Sequence, residues 1–503
     1  MRKLTAFCFF FLVITGAAFA RPEFRYTVRV EDPGRHIYHI LLRMDGIETP
    51  VVDLKMPAWM PGYYQILDYA GALSAFRVRD ARGDSVAWER TERRSWRVAV
   101  PKKGATLVVE YDIFANTSFA AHSILDAGHG FIAPTGVFLY PDGFLREPAT
   151  VEIDLRTGWK KIATGLDSVA GGEHLYRAPD FDVLYDSPIL MGDLEELPSF
   201  TVQGVPHYFV GYHIGELDRA RFMGELKKVI EAAVDMIGDI PYKHYTFLGI
   251  GSGRGGIEHL NSTAVPFSGN QLATDGGRKR VFNFLAHEYF HHYNVKRIRP
   301  IALGPFDYQG PNLTNMLWVS EGLSVYYEYL LVLRAGLMAD TDLMHDLRNN
   351  LAAYENKPGR LRQSLAQSSW DTWNYGPLGG GADSTISYYD KGPVIGLLLD
   401  IGIRHFSGNK SSLDDVMRRL YREFYREKGR GFTDAEFRQV CEAVAGVSLP
   451  ELFEYVYTVK EPDYAKWLAY GGLGIDPGPG FQIRALPDAD PLSVAIRKSI
   501  FGN

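Results

Sequence analysis

Two histidines four residues apart in the apolar segment Phe284-Leu-Ala-His287-Glu288-Tyr289-Phe290-His291 constrain this chain more than any other feature. Four residues turn an α-helix by roughly 400°, so both imidazoles leave one face a turn apart and can share one ion. Glu288 follows the first histidine, where its carboxylate can reach a metal-bound water without occupying the coordination shell. The ion lowers the pKa of that water toward about 7 and polarises a carbonyl, while the glutamate takes and returns the proton. The same pattern also occurs in a buried amphipathic helix whose polar residues are satisfied by neighbours, so a third ligand is needed to separate the two. Leu317-Trp-Val-Ser-Glu321-Gly322 supplies one, because a glutamate in a second apolar helix can complete a His₂Glu catalytic site with one position open to water. Among Trp318, Leu323 and Tyr326 its charge would otherwise be buried at a cost. The ligand types favour a single zinc ion over manganese or iron.

The rest of the chain reads as the frame for that site. With 503 residues it exceeds what one core usually organises, so two or three domains are expected. From Phe24 to about His213, short β-branched and aromatic runs alternate with turns, as in Tyr26-Thr-Val-Arg-Val30 and Thr106-Leu-Val-Val-Glu-Tyr111. This pattern predicts an antiparallel, sandwich-like β domain. After Glu216 the period becomes helical, with Phe222, Leu226, Val229, Ile230, Ala233, Val234 and Ile237 on one face. An apolar strand at Tyr245 to Ile250 and helices over 279–297, 315–333, 340–354, 414–427 and 433–445 follow. The expected class is α+β, with a β domain over 21–215, a mainly helical metallopeptidase domain over 216–475 and a tail over 476–503 in which only Leu492 to Ile500 looks ordered.

The first twenty residues have the form of a secretory signal: Arg2 and Lys3, an apolar run from Leu4 to Thr15, and small residues around Ala18 and Ala20. Cleavage after Ala20 would make the protein secreted or periplasmic. It would leave 52 of the 54 Lys and Arg against 60 acids, a formal charge of −8, which disfavours nucleic acid. Cys8 would leave with the signal, so Cys441 would be the remaining thiol and no internal disulfide is expected. No later run approaches the roughly 20 apolar residues of a membrane span.

Four segments together resemble the glycyl aminopeptidases of the gluzincin metallopeptidases. They are His287-Glu-Tyr-Phe-His-His-Tyr-Asn-Val-Lys-Arg-Ile-Arg-Pro300, Leu317-Trp-Val-Ser-Glu-Gly322, Gly255-Gly-Ile-Glu-His259 and Met56-Pro-Ala-Trp-Met-Pro-Gly-Tyr63. The resemblance spans about residues 24–475 and implies an N-terminal β domain, a thermolysin-like catalytic domain and usually a C-terminal PDZ domain. Only about thirty residues follow Asp463-Tyr-Ala-Lys-Trp-Leu, so the PDZ domain is expected to be absent or truncated. Gly256-Ile257-Glu258-His259 looks like the exopeptidase signature of related aminopeptidases, in which a sheet-edge glutamate binds the substrate's free α-amine. On residue type alone an ordinary strand-end glutamate is equally acceptable. Tyr389 is similar to the tyrosine that hydrogen-bonds the tetrahedral oxyanion in related enzymes, a role a neutral phenol suits, with Tyr388 as the competing candidate. A preference for small N-terminal residues, Gly or Ala, comes from the resemblance alone.

Gly251-Ser-Gly253-Arg-Gly-Gly256 satisfies a dinucleotide-binding pattern, but that fingerprint requires a helix starting at the glycines, and Asn261-Ser-Thr follows instead. Lys296, Arg297 and Arg299 read as helix-end or acid-pairing residues, and His207, His213, His259 and His292 as structural. The expected function is zinc-dependent removal of N-terminal residues from peptides with a free amine. The rivals are a zinc endopeptidase, in which Glu258 is structural, and a non-catalytic peptide-binding protein, which has no evident use for His287, Glu288, His291 and Glu321 together.

Overall fold

The computed structural model describes residues 22–155, 158–381, 383–476, 478 and 480–502; the signal segment read at 1–20 lies outside them. Strict alternation builds the first domain. In Glu23–Val30, Phe24, Tyr26, Val28 and Val30 point inward, and in Ile37–Ile47 the buried set is Tyr38, Ile40, Leu42 and Met44. These strands lie in a seven-stranded sheet whose apolar face packs on Val52, Leu54, Trp96 and Val98 of a four-stranded sheet. A further four-stranded sheet contains His129–Ile132 and Ile189–Gly192. The expected sandwich-like β domain is therefore present. One pairing departs from the antiparallel expectation: Phe24–Val30 runs parallel to Ala149–Leu155, because the latter is added beside the first strand from a distant part of the chain.

The boundary expected at 215 moves. Glu195–Glu196, Phe200–Val202 and Val205–Gly211 belong to a six-stranded sheet with Tyr245–Gly249, Ser262–Val265 and Ile257–Glu258. Val205–Gly211 pairs in parallel with Tyr245–Gly249, so strands that look like the end of the β domain are bonded into the catalytic one. Local alternation is the same on either side of such a junction and cannot reveal which sheet a strand joins.

Helices cover that sheet. Arg219–Ile237 starts at Asp218, whose side chain accepts from Arg221 N, and stops at Gly238 in the left-handed region, φ 87°. Asp275–Phe290 carries the His-Glu-x-x-His segment and is capped by Thr274 Oγ1, which accepts from Gly277 N at 3.0 Å. It is shorter than the expected 279–297 at its C-terminal end, because residues 291–297 leave in a series of turns. The 315–333 prediction becomes a π-helical turn at Trp318–Gly322 followed by Leu323–Arg334. Tyr388–Phe406 runs through the centre of the helical domain and is buried along most of its length. Among the described residues no helix is long and apolar enough to cross a membrane.

The segment Met56 to Tyr63 fastens the two domains. Ala58 N donates to Tyr308 O at 2.7 Å, and Trp59 Nε1 donates to Asp307 O at 2.9 Å. The indole is fully buried against Phe306, Tyr308 and Trp373. Its resemblance to a family motif thus reflects a plug of the β domain inserted into the helical one.

At the C-terminus, Pro491–Phe501 forms a helix whose Ile496, Ile500 and Phe501 join the catalytic domain's core. Phe501→Ala should destabilise that domain by about 3 kcal/mol, the usual cost of emptying a buried phenylalanine site. A lowered denaturant midpoint or Tm checks it; an unchanged one would mean that the terminal helix adds nothing to the core.

Candidate metal centre and cleft

The helix Asp275–Phe290 and the π-turn Trp318–Gly322 bring three side chains to one point. His287, His291 and Glu321 are buried, and one candidate donor atom from each lies within 4.8 Å of the others. His291 Nε2 is 3.2 Å and His287 Nε2 3.7 Å from Glu321 Oε2, and the two Nε2 atoms stand 2.8 Å apart. His291 Nδ1 donates to the Asn294 carbonyl at 2.7 Å, which leaves the Nε2 lone pair of a neutral ring facing inward. His287 Nδ1 lies 2.9 Å from Glu328 Oε2, which places a carboxylate behind the ring. Two imidazole lone pairs and a carboxylate oxygen aimed together repel one another unless a cation lies among them. The donor set fits zinc.

Two residues that sequence reasoning passed over hold this arrangement. Asn294 Nδ2 donates to Val319 O at 2.8 Å, Ser320 O at 3.0 Å and Ser324 Oγ at 3.1 Å, while its carbonyl fixes His291. One buried residue therefore ties the histidine helix to the turn bearing Glu321. A π-turn frees carbonyls that an α-helix would use, and Asn294 satisfies them. Glu328 was legible in principle, since it lies seven residues after Glu321, two helical turns along the same face.

A glycine contact sets the third side of the site. A Cβ on Gly322 would stand 2.6 Å from Gly392 Cα, so the turn bearing Glu321 meets the Tyr388–Phe406 helix almost backbone to backbone. Tyr389 OH then donates to Glu321 Oε2 at 2.8 Å, whereas Tyr388 is buried with its hydroxyl on Thr372 Oγ1 at 3.1 Å. Both tyrosines border the cleft, and Tyr389 is the one whose hydroxyl is hydrogen-bonded to a candidate metal ligand.

The cleft, about 560 Å³, is lined by Gly62, Tyr63 and Phe119 of the β domain and by Gly256, Phe284, His287, Glu288 and Tyr389 of the helical one. Ile257–Glu258 is the edge strand of the six-stranded sheet, and no helix starts at Gly251–Gly256, in keeping with rejection of the dinucleotide pattern. Gly256 is packed against Glu288: a Cβ there would lie 2.4 Å from Glu288 Oε1. Glu258 is buried, and its Oε1 has no hydrogen-bond partner. Of the histidines read as structural, His207 Nε2 meets Tyr242 OH at 2.8 Å, His259 meets Asp186, His292 Nδ1 meets Tyr289 O, and His213 stacks on Tyr212.

Burial pushes the Glu288 carboxyl up to about 7, against the lowering influence of His287 and His291. Burial would also raise Glu321, but His291 and His287 opposite hold it well below the usual carboxylate range. For His287, burial opposes a positive charge, yet the Glu321 and Glu328 carboxylates outweigh it and raise the ring's affinity for a proton. The cluster is thus an anionic pocket that draws positive charge.

A buried His-Glu-x-x-His helix completed by a glutamate from the next helix, set in a cleft beneath a β domain, defines a zinc metallopeptidase. The model of the peptidase M61 N-terminal domain matches residues 25–193, and that of the M61 glycyl aminopeptidase matches residues 280–395. The chain belongs to this M61 glycyl aminopeptidase family and is a metallo-aminopeptidase by class. It is similar to an aminopeptidase N family protein from Idiomarina loihiensis, at 26% identity over 90% of this chain and 79% of that one, with a TM-score of 0.84. An M1 zinc metallopeptidase from Deinococcus radiodurans shares the fold at 15% identity, covering 88% of this chain and 95% of that one, with a TM-score of 0.54. A mutant form of that enzyme, described as bound to a Tyr-Ser-Ala substrate, aligns over the same shares of both chains at 13% identity and a TM-score of 0.53. Among curated proteins none matches the chain.

Asn294→Ala removes the link between the two ligand-bearing elements and should weaken zinc binding about 10- to 100-fold, as loss of a residue supporting metal ligands usually does. Competition with a chromogenic chelator measures it, and wild-type affinity would show that Asn294 does not organise the ligands.

Proposed function

We propose that the protein removes single N-terminal residues, preferably Gly or Ala, from peptides, using one zinc ion held by His287, His291 and Glu321. The observation that carries the exopeptidase reading is Glu258, a buried carboxylate whose Oε1 has no hydrogen-bond partner, on the edge strand beside the base. A peptide laid along Gly256–Glu258 pairs with free edge backbone, and its α-ammonium meets Glu258 one residue before the bond to be cut. Preference for a small first side chain agrees with the aromatic walls: Tyr63 and Phe119 lie edge to face at 5.0 Å, and a Cβ on Gly255 would stand 2.7 Å from the Phe119 ring.

Zinc, when bound, supplies Lewis acidity that activates water and polarises the scissile carbonyl. Glu288 accepts the proton of the attacking water and returns it to the leaving amine, a task suited to a carboxyl raised toward neutrality. Tyr389 OH donates to the oxyanion as charge develops, exchanging its bond to Glu321 for one to the substrate. Gly256 leaves room for Glu288 to hold this position. The signal segment at residues 1–20 extends the proposal to action outside the cytoplasm.

Glu288→Gln should lower kcat by about 10²- to 10⁴-fold, the usual contribution of a general base, with zinc content at the wild-type level; a retained rate rejects Glu288 as the base. Acetylating the substrate amine should reduce kcat/KM by at least about tenfold, the worth of one charge-assisted contact. Equal hydrolysis of free and acetylated peptides would identify an endopeptidase, and no hydrolysis of any peptide panel by the zinc-loaded protein a binding protein.

A further inference from the structure

Lys296 lies five residues after the second histidine, in the turns that leave the metal helix, with its side chain only 7% exposed. Its Nζ is 2.8 Å from Asp186 Oδ1 and 3.6 Å from Glu258 Oε1. The two carboxylates differ in their support. Asp186, at the end of the Phe181–Tyr185 helix of the β domain, accepts from Leu260 N at 2.7 Å and has His259 Nδ1 at 3.2 Å. Glu258 Oε1 is buried with no hydrogen-bond partner, and Lys296 is the cation that stands beside it. Burial keeps His259 neutral, below its ordinary range, so it adds no charge. Two carboxylates and one ammonium leave this buried group one negative charge in excess, directly below Gly62, which lines the cleft: a Cβ there would stand 2.9 Å from Glu258 Oε2.

An unpaired buried anion is costly, and the group that relieves it must bring one positive charge and hydrogen-bond donors. A peptide's α-ammonium brings both. We propose that Lys296 is a positioning residue for the amine subsite, joining Asp186 of the β domain to Glu258 so that Glu258 stays oriented toward the peptide's free amine. This inference rests on the aminopeptidase reading above. Without the lysine, two buried carboxylates share the space, and Glu258, lacking the N–H donor that supports Asp186, is the one that loses its orientation. The β domain, which supplies no metal ligand, thereby takes part in selecting substrates by their free N-terminus.

The test is steady-state kinetics of the zinc-loaded full chain on a glycyl anilide and its N-acetyl derivative. Lys296→Met should raise KM for the free-amine substrate about tenfold or more, the worth of a charge-assisted contact, with kcat within about threefold, zinc content unchanged and the acetylated substrate unaffected. Lys296→Arg, which keeps the charge, should restore most of the affinity. A KM unchanged in Lys296→Met, or a loss confined to kcat or to zinc content, overturns the proposal. Glu258→Gln separates the two levels of the argument. If it abolishes the preference for the free amine while Lys296→Met does not, only the lysine's role fails; if it leaves the preference intact, the aminopeptidase reading itself fails. Should Lys296→Met not fold, the double variant Asp186→Asn with Lys296→Met removes one charge of each sign and must show the same rise in KM; a wild-type KM there is equally decisive against the proposal.

Discussion

Everything functional in this protein depends on holding two imidazole lone pairs and a carboxylate oxygen against their mutual repulsion inside a buried cleft. His291 is fixed from behind by a backbone carbonyl, and the Glu328 carboxylate stands behind His287. The arrangement is stable only with positive charge among the three donors, which makes metal binding and local order two sides of one equilibrium. The elements that supply the donors are therefore braced by contacts that look structural in isolation: the Asn294 amide, and the Gly322–Gly392 approach that admits no side chain.

The β domain belongs to this mechanism more closely than its separate core suggests. Trp59 locks it to the helical domain, Gly62 and Tyr63 reach the cleft, and Asp186 crosses the junction to Lys296. A substrate bound along the edge strand would sit between the two domains, with the metal ligands on one side and aromatic walls from the other.

Much of the site was legible in the sequence because its chemistry is local. His287, Glu288 and His291 lie within one helical turn, and period 3.6 alone places both rings on one face. Glu321 was readable because an acid among Trp318, Leu323 and Tyr326 needs a partner. Tyr389 and Tyr388, adjacent in the chain, could be separated only by the helix's rotation about its axis, which the Gly322–Gly392 contact sets. Asn294 carried no signal of its own, Glu328 showed only in its two-turn spacing from Glu321, and Lys296 read as an acid-pairing residue without its partners being legible. Strand alternation likewise announced a β domain without showing that the strands between Glu195 and Gly211 pair with the catalytic sheet.

The sequence by itself determined the donor types, the single-helix geometry of the two histidines, the β-then-helix order and the family resemblance. All of these follow from short-range spacing and the steric rules of one helix or strand. Only the tertiary structure decided which carboxylate backs which ring, which tyrosine reaches the metal ligands, where the domains divide, and that a buried lysine from one domain joins acids from both. Those relations link residues up to about a hundred positions apart, and they are set by packing, which no local period encodes.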